Sequence, residues 1–328
     1  MIDEMKIKTK VIGVDISLNY TTCAVIDIRG MILGKDSFST TDYPNINNFV
    51  SMLYEKIVKL AEAHGGLENI RSVGVSAPSA NFKTGSVENA SNLRWKGVVP
   101  LAAMLRDRLG LAVAVGNDGH VAALGERAYG SAHGMENFLV MTFSEGGVGS
   151  SIFLNGRAHL GTDGFSGEIG HTRVIENGRQ CGCGRKGCLE TYVSTLGIVQ
   201  NLRELMVESD EPSLARSIED LNIQSVVLCC KQGDKLALEA VTRAGQILGR
   251  AIANYCSALN PEAIILSGDI LKVIDWMYPV LRQTIDENVF HNLRGKVRLL
   301  ASLLEPEVRT VLGAGALAWQ LKEYSLFK

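Results

Sequence analysis

Hydrophobic and polar positions alternate along this chain in short runs that change period repeatedly. The opening stretch "KVIGVDISLNYTTCAVIDIRGMIL" carries two β-branched runs, residues 11–14 and 22–27, which predict two strands joined by a polar turn. "NINNFVSMLYEKIVKLAEAHGG" has the 3.6-residue spacing of an amphipathic helix, stopped by Gly65 and Gly66. "IRSVGVSAP" predicts a third strand ending at Pro78, and "LAVAVGND" a buried strand followed directly by the helix "GHVAALGERAYG". A second cycle opens with "NFLVMTFSEGGVGSSIFLNG", a hairpin with a glycine-rich bend. Residues 196–259 are mostly helical in pattern; "PEAIILSGDI" and "VRLLASLLE" are strands, and "TVLGAGALAWQLKEY" is the last helix.

Strands alternating with helices predict an α/β fold. Each half starts with a hairpin whose turn is polar or glycine-rich, residues 17–20 in one and 145–149 in the other. This weak internal repetition predicts two related domains facing a cleft, with no low-complexity linker between them.

Length and composition agree with that division. The chain has 328 residues, 46% hydrophobic and 21% charged, enough for two domains. No apolar run approaches the ~20 residues that span a bilayer. The start, "MIDEMKIKTK", lacks the apolar stretch of a secretory signal, so a cytoplasmic location is expected by default. A formal net charge of −2 provides no global basic field to favour nucleic acid.

The seven cysteines fall into two groups. Cys23, Cys229, Cys230 and Cys256 lie in apolar surroundings and read as buried thiols. The others stand in "HTRVIENGRQCGCGRKGCLE" with the spacing His171-x9-Cys181-x-Cys183-x4-Cys188. Three thiolates and an imidazole form a common ligand set for tetrahedral zinc. Gly182, Gly184 and Gly187 would let the backbone turn tightly around the ion. Free surface thiols are the alternative, and would be an oxidation hazard. Four protein ligands leave no position for water or substrate, so the expected zinc is structural. Arg185 and Lys186 are too few for a DNA-reading surface.

Asp118 follows a strand and starts a helix. Ligands in open α/β sheets gather at such strand ends, where a carboxylate can accept a proton from an attacking hydroxyl. Capping the helix is an equally ordinary job for Asp.

Together these pieces resemble the ROK family, which groups bacterial sugar kinases with sugar-responsive repressors. The resemblance covers nearly the whole chain. "GEIGHTRV…CGCGRKGCLE" is similar to the family's zinc-containing signature, "GNDGHVAALGE" to its "NDANAAALGE", and "NASNLRWKGVVPL" to its "APNLPWKGVPL". The likeness is greatest to the glucokinases of the family, which implies an actin-like, hexokinase-type fold: two α/β domains around a cleft. The expected boundaries are residues 1–117 plus about 312–328 for the small domain, and 118–311 for the large domain carrying the zinc loop.

The resemblance also implies roles. Asp118 becomes the general base for the sugar's terminal hydroxyl. Asn92, Asn117, Asp118, Glu168, His171 and Glu190 become sugar contacts, with Asn81 a further lining residue. His171, Cys181, Cys183 and Cys188 hold zinc, which would preorganise the sugar site rather than do chemistry. Mg-ATP is the implied donor, with Asp15, Asn19, Gly146, Gly147, Gly149 and Gly268 on the nucleotide side. A hexose and ATP are the implied partners, and a homodimer or higher homo-oligomer the implied assembly.

The nucleotide side departs from the family pattern. Its first phosphate turn, D-x-G-G-T, reads Asp15-Ile16-Ser17-Leu18-Asn19 here. Its second, G-T-G-x-G, reads Glu145-Gly146-Gly147-Val148-Gly149, and "LSGDI" stands where "LGGGV" is usual. Side chains obstruct the close approach of backbone amides to phosphate, and Glu145 adds a repelling charge. The expected function is therefore ATP-dependent hexose phosphorylation, with a catalytically weak sugar sensor as the alternative. A family repressor would carry a helix-turn-helix module before the first strand, and only about ten residues precede Val11.

Overall fold

The N-terminal β-branched runs are followed by a third strand that periodicity alone did not mark. β1 (Lys10–Ile16), β2 (Tyr20–Asp27) and β3 (Ile32–Ser39) form an antiparallel meander. The sequence of β3, ILGKDSFS, has few β-branched residues and only partly buries its side chains, as an edge strand does. In this computed structural model, which describes residues 7–90, 93–145 and 147–322, the chain divides into two units. One comprises Met1–Gly134 with Leu303–Lys328, the other Met135–Ser302.

In the first unit, α1 (Ile46–Glu62) buries Phe49, Val50, Leu53 and Ile57, and Asn45 caps it by accepting from the amides of Asn47 and Asn48. β4 (Ile70–Ala77) pairs parallel with β1. A small sheet of β5 (Ala80–Asn81), β6 (Ser86–Glu88) and β7 (Val98–Val99) follows, then α2 (Leu101–Leu109). β8 (Ala112–Asn117) pairs parallel with β4 and leads straight into α3 (Asp118–Tyr129). The main sheet has the order β3-β2-β1-β4-β8.

The second unit repeats this plan. β9 (Phe138–Ser144), β10 (Gly147–Leu154) and β11 (Arg157–Ala158) are antiparallel, and β12 (Ala263–Gly268) and β13 (Leu299–Ala301) continue the sheet in parallel. The order β11-β10-β9-β12-β13 has the same succession of antiparallel and parallel pairs as the first sheet. Between strands run the short α4 (Glu190–Val193), then α5 (Thr195–Glu208), α6 (Ile223–Lys231), the long α7 (Lys235–Leu259) and α8 (Ile274–Asn288). Leu139, Met141 and Phe143 of β9 share a core with Leu248 and Ile252 of α7.

The last helix, α9 (Pro306–Trp319), belongs to the first unit. Its "VLGAGALA" composition has a packing reason. A Cβ on Gly74 would lie 1.9 Å from the Ala314 carbonyl oxygen, one on Gly13 2.3 Å from that of Val311, and one on Gly313 2.0 Å from that of Val121. The α9 backbone therefore touches those of β1, β4 and α3, which only residues without side chains allow at these positions. The sequence boundaries at 117/118 and 311/312 differ from these units: α3, and α9 from its first turn, pack with the first sheet.

Candidate functional site

The segment from His171 to Glu190 is built by short backbone bonds. The amide of Val174 donates to Gly187 O at 2.8 Å, Leu189 to Thr172 O at 2.9 Å, and Cys181 to Arg185 O at 2.8 Å. Gly187, at φ +77°, is required by space as well as conformation, since a Cβ there would meet Ile175 O at 1.7 Å. Gly184 also adopts positive φ, whereas Gly182 does not and has open space beside it.

These turns bring His171, Cys181, Cys183 and Cys188 together, their four ligand atoms all within 4.8 Å of one another. Cys183 Sγ lies 3.7 Å from Cys188 Sγ, and Cys181 Sγ 3.6 Å from His171 Nδ1. Tetrahedral zinc with Zn–S near 2.3 Å and Zn–N near 2.0 Å demands edges of about 3.8 Å and about 3.6 Å. The donor set therefore fits that ion in chemistry and spacing. The backbone amide and guanidinium of Arg185 lower the exposed Cys183 thiol to about 6, whereas burial and the Glu190 carboxylate push Cys181 up. With Nδ1 on the cluster side, Nε2 is the histidine's outward nitrogen.

Glu190, the first residue of α4, is tied to the same cluster. Its Oε1 accepts from Cys181 Sγ at 3.0 Å and lies 3.4 Å from His171 Nδ1. Its Oε2 faces Gly147 at the start of β10. Glu168 precedes the 3₁₀ turn Ile169–His171 and is exposed.

A residue the sequence did not single out anchors this loop. Arg179 donates through Nε to Glu204 at 2.9 Å, through Nη1 to Thr191 O at 2.6 Å and through Nη2 to Asn201 at 2.7 Å. Its guanidinium also sits 4.6 Å from the centre of the Tyr192 ring. Nothing in local sequence marks it, because its partners lie 12 to 25 residues away.

In the first unit, Asn117 caps α3, its Oδ1 accepting from Gly119 N at 2.9 Å. Asp118 thus stands one position inside the helix, though its own Oδ1 also accepts from Gly119 N, at 2.8 Å. Its carboxyl touches solvent, yet desolvation by the protein packed around it raises it above the usual range. Asp15, at the end of β1, is raised to about 6, first by burial and then by the charge of Asp118. The sequence pattern does not mark His120, whose Nε2 is buried with no hydrogen-bond partner among the described residues and whose basicity burial lowers. Asn81 Oδ1 accepts from Lys83 N at 3.0 Å, a local turn bond.

The turn after Asp15 closes as a tight hairpin. The Ser17 amide donates to Tyr20 O at 3.0 Å and the Ser17 hydroxyl donates to the same oxygen at 2.8 Å, while Leu18 is 50% exposed and Asn19 O accepts from Thr40 N. Neither Ser17 nor Leu18 has positive φ, so this turn forms without the family's glycines. In the second unit Glu145 is exposed and Gly149 has open space above it. Gly268 has a packing requirement of its own, since a Cβ there would lie 2.1 Å from Phe143 O. Asn92 and Gly146 lie outside the described residues.

The ROK family model matches residues 11–321. A glucokinase from Halalkalibacterium halodurans is 33% identical over 278 residues, covering 83% of this chain and 84% of that protein. A xylose repressor from Bacillus spizizenii is 25% identical over 296 residues, covering 89% of this chain and 73% of the repressor. Among solved structures, a ROK family glucokinase from Streptomyces griseus in complex with glucose and AMPPNP superposes with a TM-score of 0.74 at 26% identity, covering 95% of this chain and 100% of that one. Among the described residues, no helix is long and apolar enough to cross a membrane. The fold is the actin-like, hexokinase-type fold of sugar kinases, and the chain belongs to the ROK family.

Proposed function

We propose that this protein phosphorylates a hexose with Mg-ATP, with Asp118 as general base. The observation that carries the reading is the placement of Asp118: it directly follows a parallel strand, heads a helix, and leaves the N-cap position to Asn117. A carboxyl whose proton affinity burial raises is better matched to accept a hydroxyl proton than an ordinary surface carboxylate. Burial and then the negative charge of Asp118 raise Asp15; the magnesium that accompanies a nucleotide would offset that charge.

Asn92, Asn117, Glu168, His171 and Glu190 hold the sugar hydroxyls in this reading. Zinc would be held by His171, Cys181, Cys183 and Cys188, supplying rigidity and no chemistry. What this chain does around it is supported by the position of Glu190, whose carboxylate lies beside both Cys181 and His171. Sugar recognition requires many directional hydrogen bonds, and the Arg179 anchor removes the freedom that would blur them. Asn19, Gly146, Gly147, Gly149 and Gly268 make up the nucleotide side. A homodimer and the cytoplasm complete the reading, and the net charge of −2 gives no general attraction to nucleic acid.

A second reading is favoured by specific residues: Leu18 and Glu145 stand in the two phosphate turns, exposed, where bulk and negative charge oppose a triphosphate. The protein would then bind sugar with little phosphoryl transfer. A coupled assay with glucose, mannose and N-acetylated hexosamines decides between them. Turnover with one of these sugars, abolished in Asp118→Asn, supports the kinase; calorimetric sugar binding without turnover supports the sensor.

A further inference from the structure

The first unit contains a cavity of about 490 Å³ between the last turns of α3, the end of α9 and the chain entering β1. That volume lies in the range of small-ligand sites, roughly 300–1,000 Å³. Its walls are apolar where Leu124, Ala128, Ala316 and Trp319 line it. Its charged groups are all cationic: arginine and lysine side chains line it, and among the described residues no carboxylate does.

Two of those cations behave differently. Arg71 donates through Nη2 to Leu321 O at 3.2 Å and lies 5.8 Å from the centre of the Trp319 ring, so it is fixed in place. Arg127 is half-buried in the last turn of α3 and makes no hydrogen bond or ion pair to any described residue. The Nε atoms of both arginines are buried without a partner among the described residues. A cation near a helix C-terminus gains something from the helix dipole. That gain is available to a fully solvated arginine, and does not account for a guanidinium drawn into an apolar cavity with an orphaned donor.

We infer that this cavity binds a small molecule carrying one anionic group on an apolar or aromatic body. Arg127 meets the anionic group, Arg71 adds positive potential from the floor, and the face of Trp319 and the Leu124 and Ala316 side chains cover the body. The site lies at the far end of α3 from Asp118, some 6 to 10 residues along the helix, or about 9–15 Å at 1.5 Å per residue. It is thus separate from the sugar and nucleotide residues of the proposed reaction.

The test is a fluorescence titration of the full chain with 1-anilinonaphthalene-8-sulfonate, whose sulfonate and fused rings match the inferred chemistry. One saturable site is expected. Arg127→Gln should weaken it at least tenfold, Arg127→Lys less, and Ala128→Trp should abolish it by filling the cavity, with far-UV circular dichroism unchanged. Competition with benzoate and with phenyl phosphate then distinguishes a carboxylate from a phosphate ligand, and neutral 2-naphthol should compete poorly. No saturable binding, or affinity unchanged in both Arg127→Gln and Ala128→Trp, overturns the inference.

Discussion

A Cβ on Gly147 would lie 2.6 Å from Oε2 of Glu190, so the start of β10 is in contact with the head of α4. Gly147 also sits at φ +141°, a region L side chains rarely adopt. The glycine therefore serves Glu190 as much as any phosphate. Gly147→Ala should strain the turn by about 1–3 kcal/mol and displace the carboxylate. The expected outcome is a rise in KM or Kd for sugar, with the fold retained by circular dichroism. Unchanged sugar affinity would detach Glu190 from the sugar site.

The metal centre gives the second prediction. Protein purified without chelators should contain about one zinc per chain by elemental analysis, given a closed Cys₃His set. Cys183→Ser should reduce zinc content and sugar affinity together, because Glu190 contacts Cys181 and His171 of the same group. Cys229→Ser, in the buried core of the second unit, should leave zinc unchanged. Retained sugar affinity in zinc-free Cys183→Ser would refute a supporting role for the loop.

Much of this was legible in the sequence, and the exceptions share a cause. The metal ligands cluster within twenty residues, so their spacing alone brought them near one another. Local pattern marked both α1, whose burial repeats along one face, and β4, a short apolar run buried on both faces. The pattern did not mark β3, an edge strand none of whose residues is fully buried. Nor did it mark Arg179, whose role depends on Glu204 and Asn201, more than twenty residues away. Gly268 carried a family expectation toward nucleotide, while its close approach to Phe143 O is a tertiary fact that no single sequence states.

The phosphate turns separate kinase from sensor. Glu145→Gly removes an exposed negative charge, worth roughly 1 kcal/mol at about 4 Å in water, or about fivefold in ATP affinity. Leu18→Gly should act in the same direction by clearing bulk. Calorimetry with Mg-ATP in the presence of sugar measures both. Robust wild-type turnover together with no gain in either variant would show that these turns do not impair the donor site.

Asp118→Asn should lower turnover by roughly 10²–10⁴-fold, the usual contribution of a general base, while sugar affinity stays near that of the wild type. Asparagine keeps the hydrogen-bonding oxygen that accepts from Gly119 and loses only the useful basicity. A variant with wild-type turnover would remove Asp118 from the mechanism, and one that lost sugar binding equally would make it a binding residue instead.

Asp15 yields a prediction of opposite sign for stability and activity. Its folded-state value is raised from 3.8 to about 6, by burial and then by the Asp118 charge. The native state therefore holds this proton more tightly than the unfolded chain between those two values. Across that window the contribution of Asp15 to stability falls as pH rises. Above about 6 both states are ionised at this position, and the folded protein carries the full penalty. A shift of about two pH units corresponds to about 3 kcal/mol. Asp15→Asn should therefore raise the melting temperature at neutral pH, and the gain should shrink as pH is lowered through about 6 toward 4. The same substitution should weaken Mg-ATP use, because it removes a negative group available to the metal. Scanning calorimetry at several pH values, paired with the coupled assay, measures both effects. A variant less stable than the wild type at neutral pH would mean that Asp15 is held by favourable contacts rather than by function.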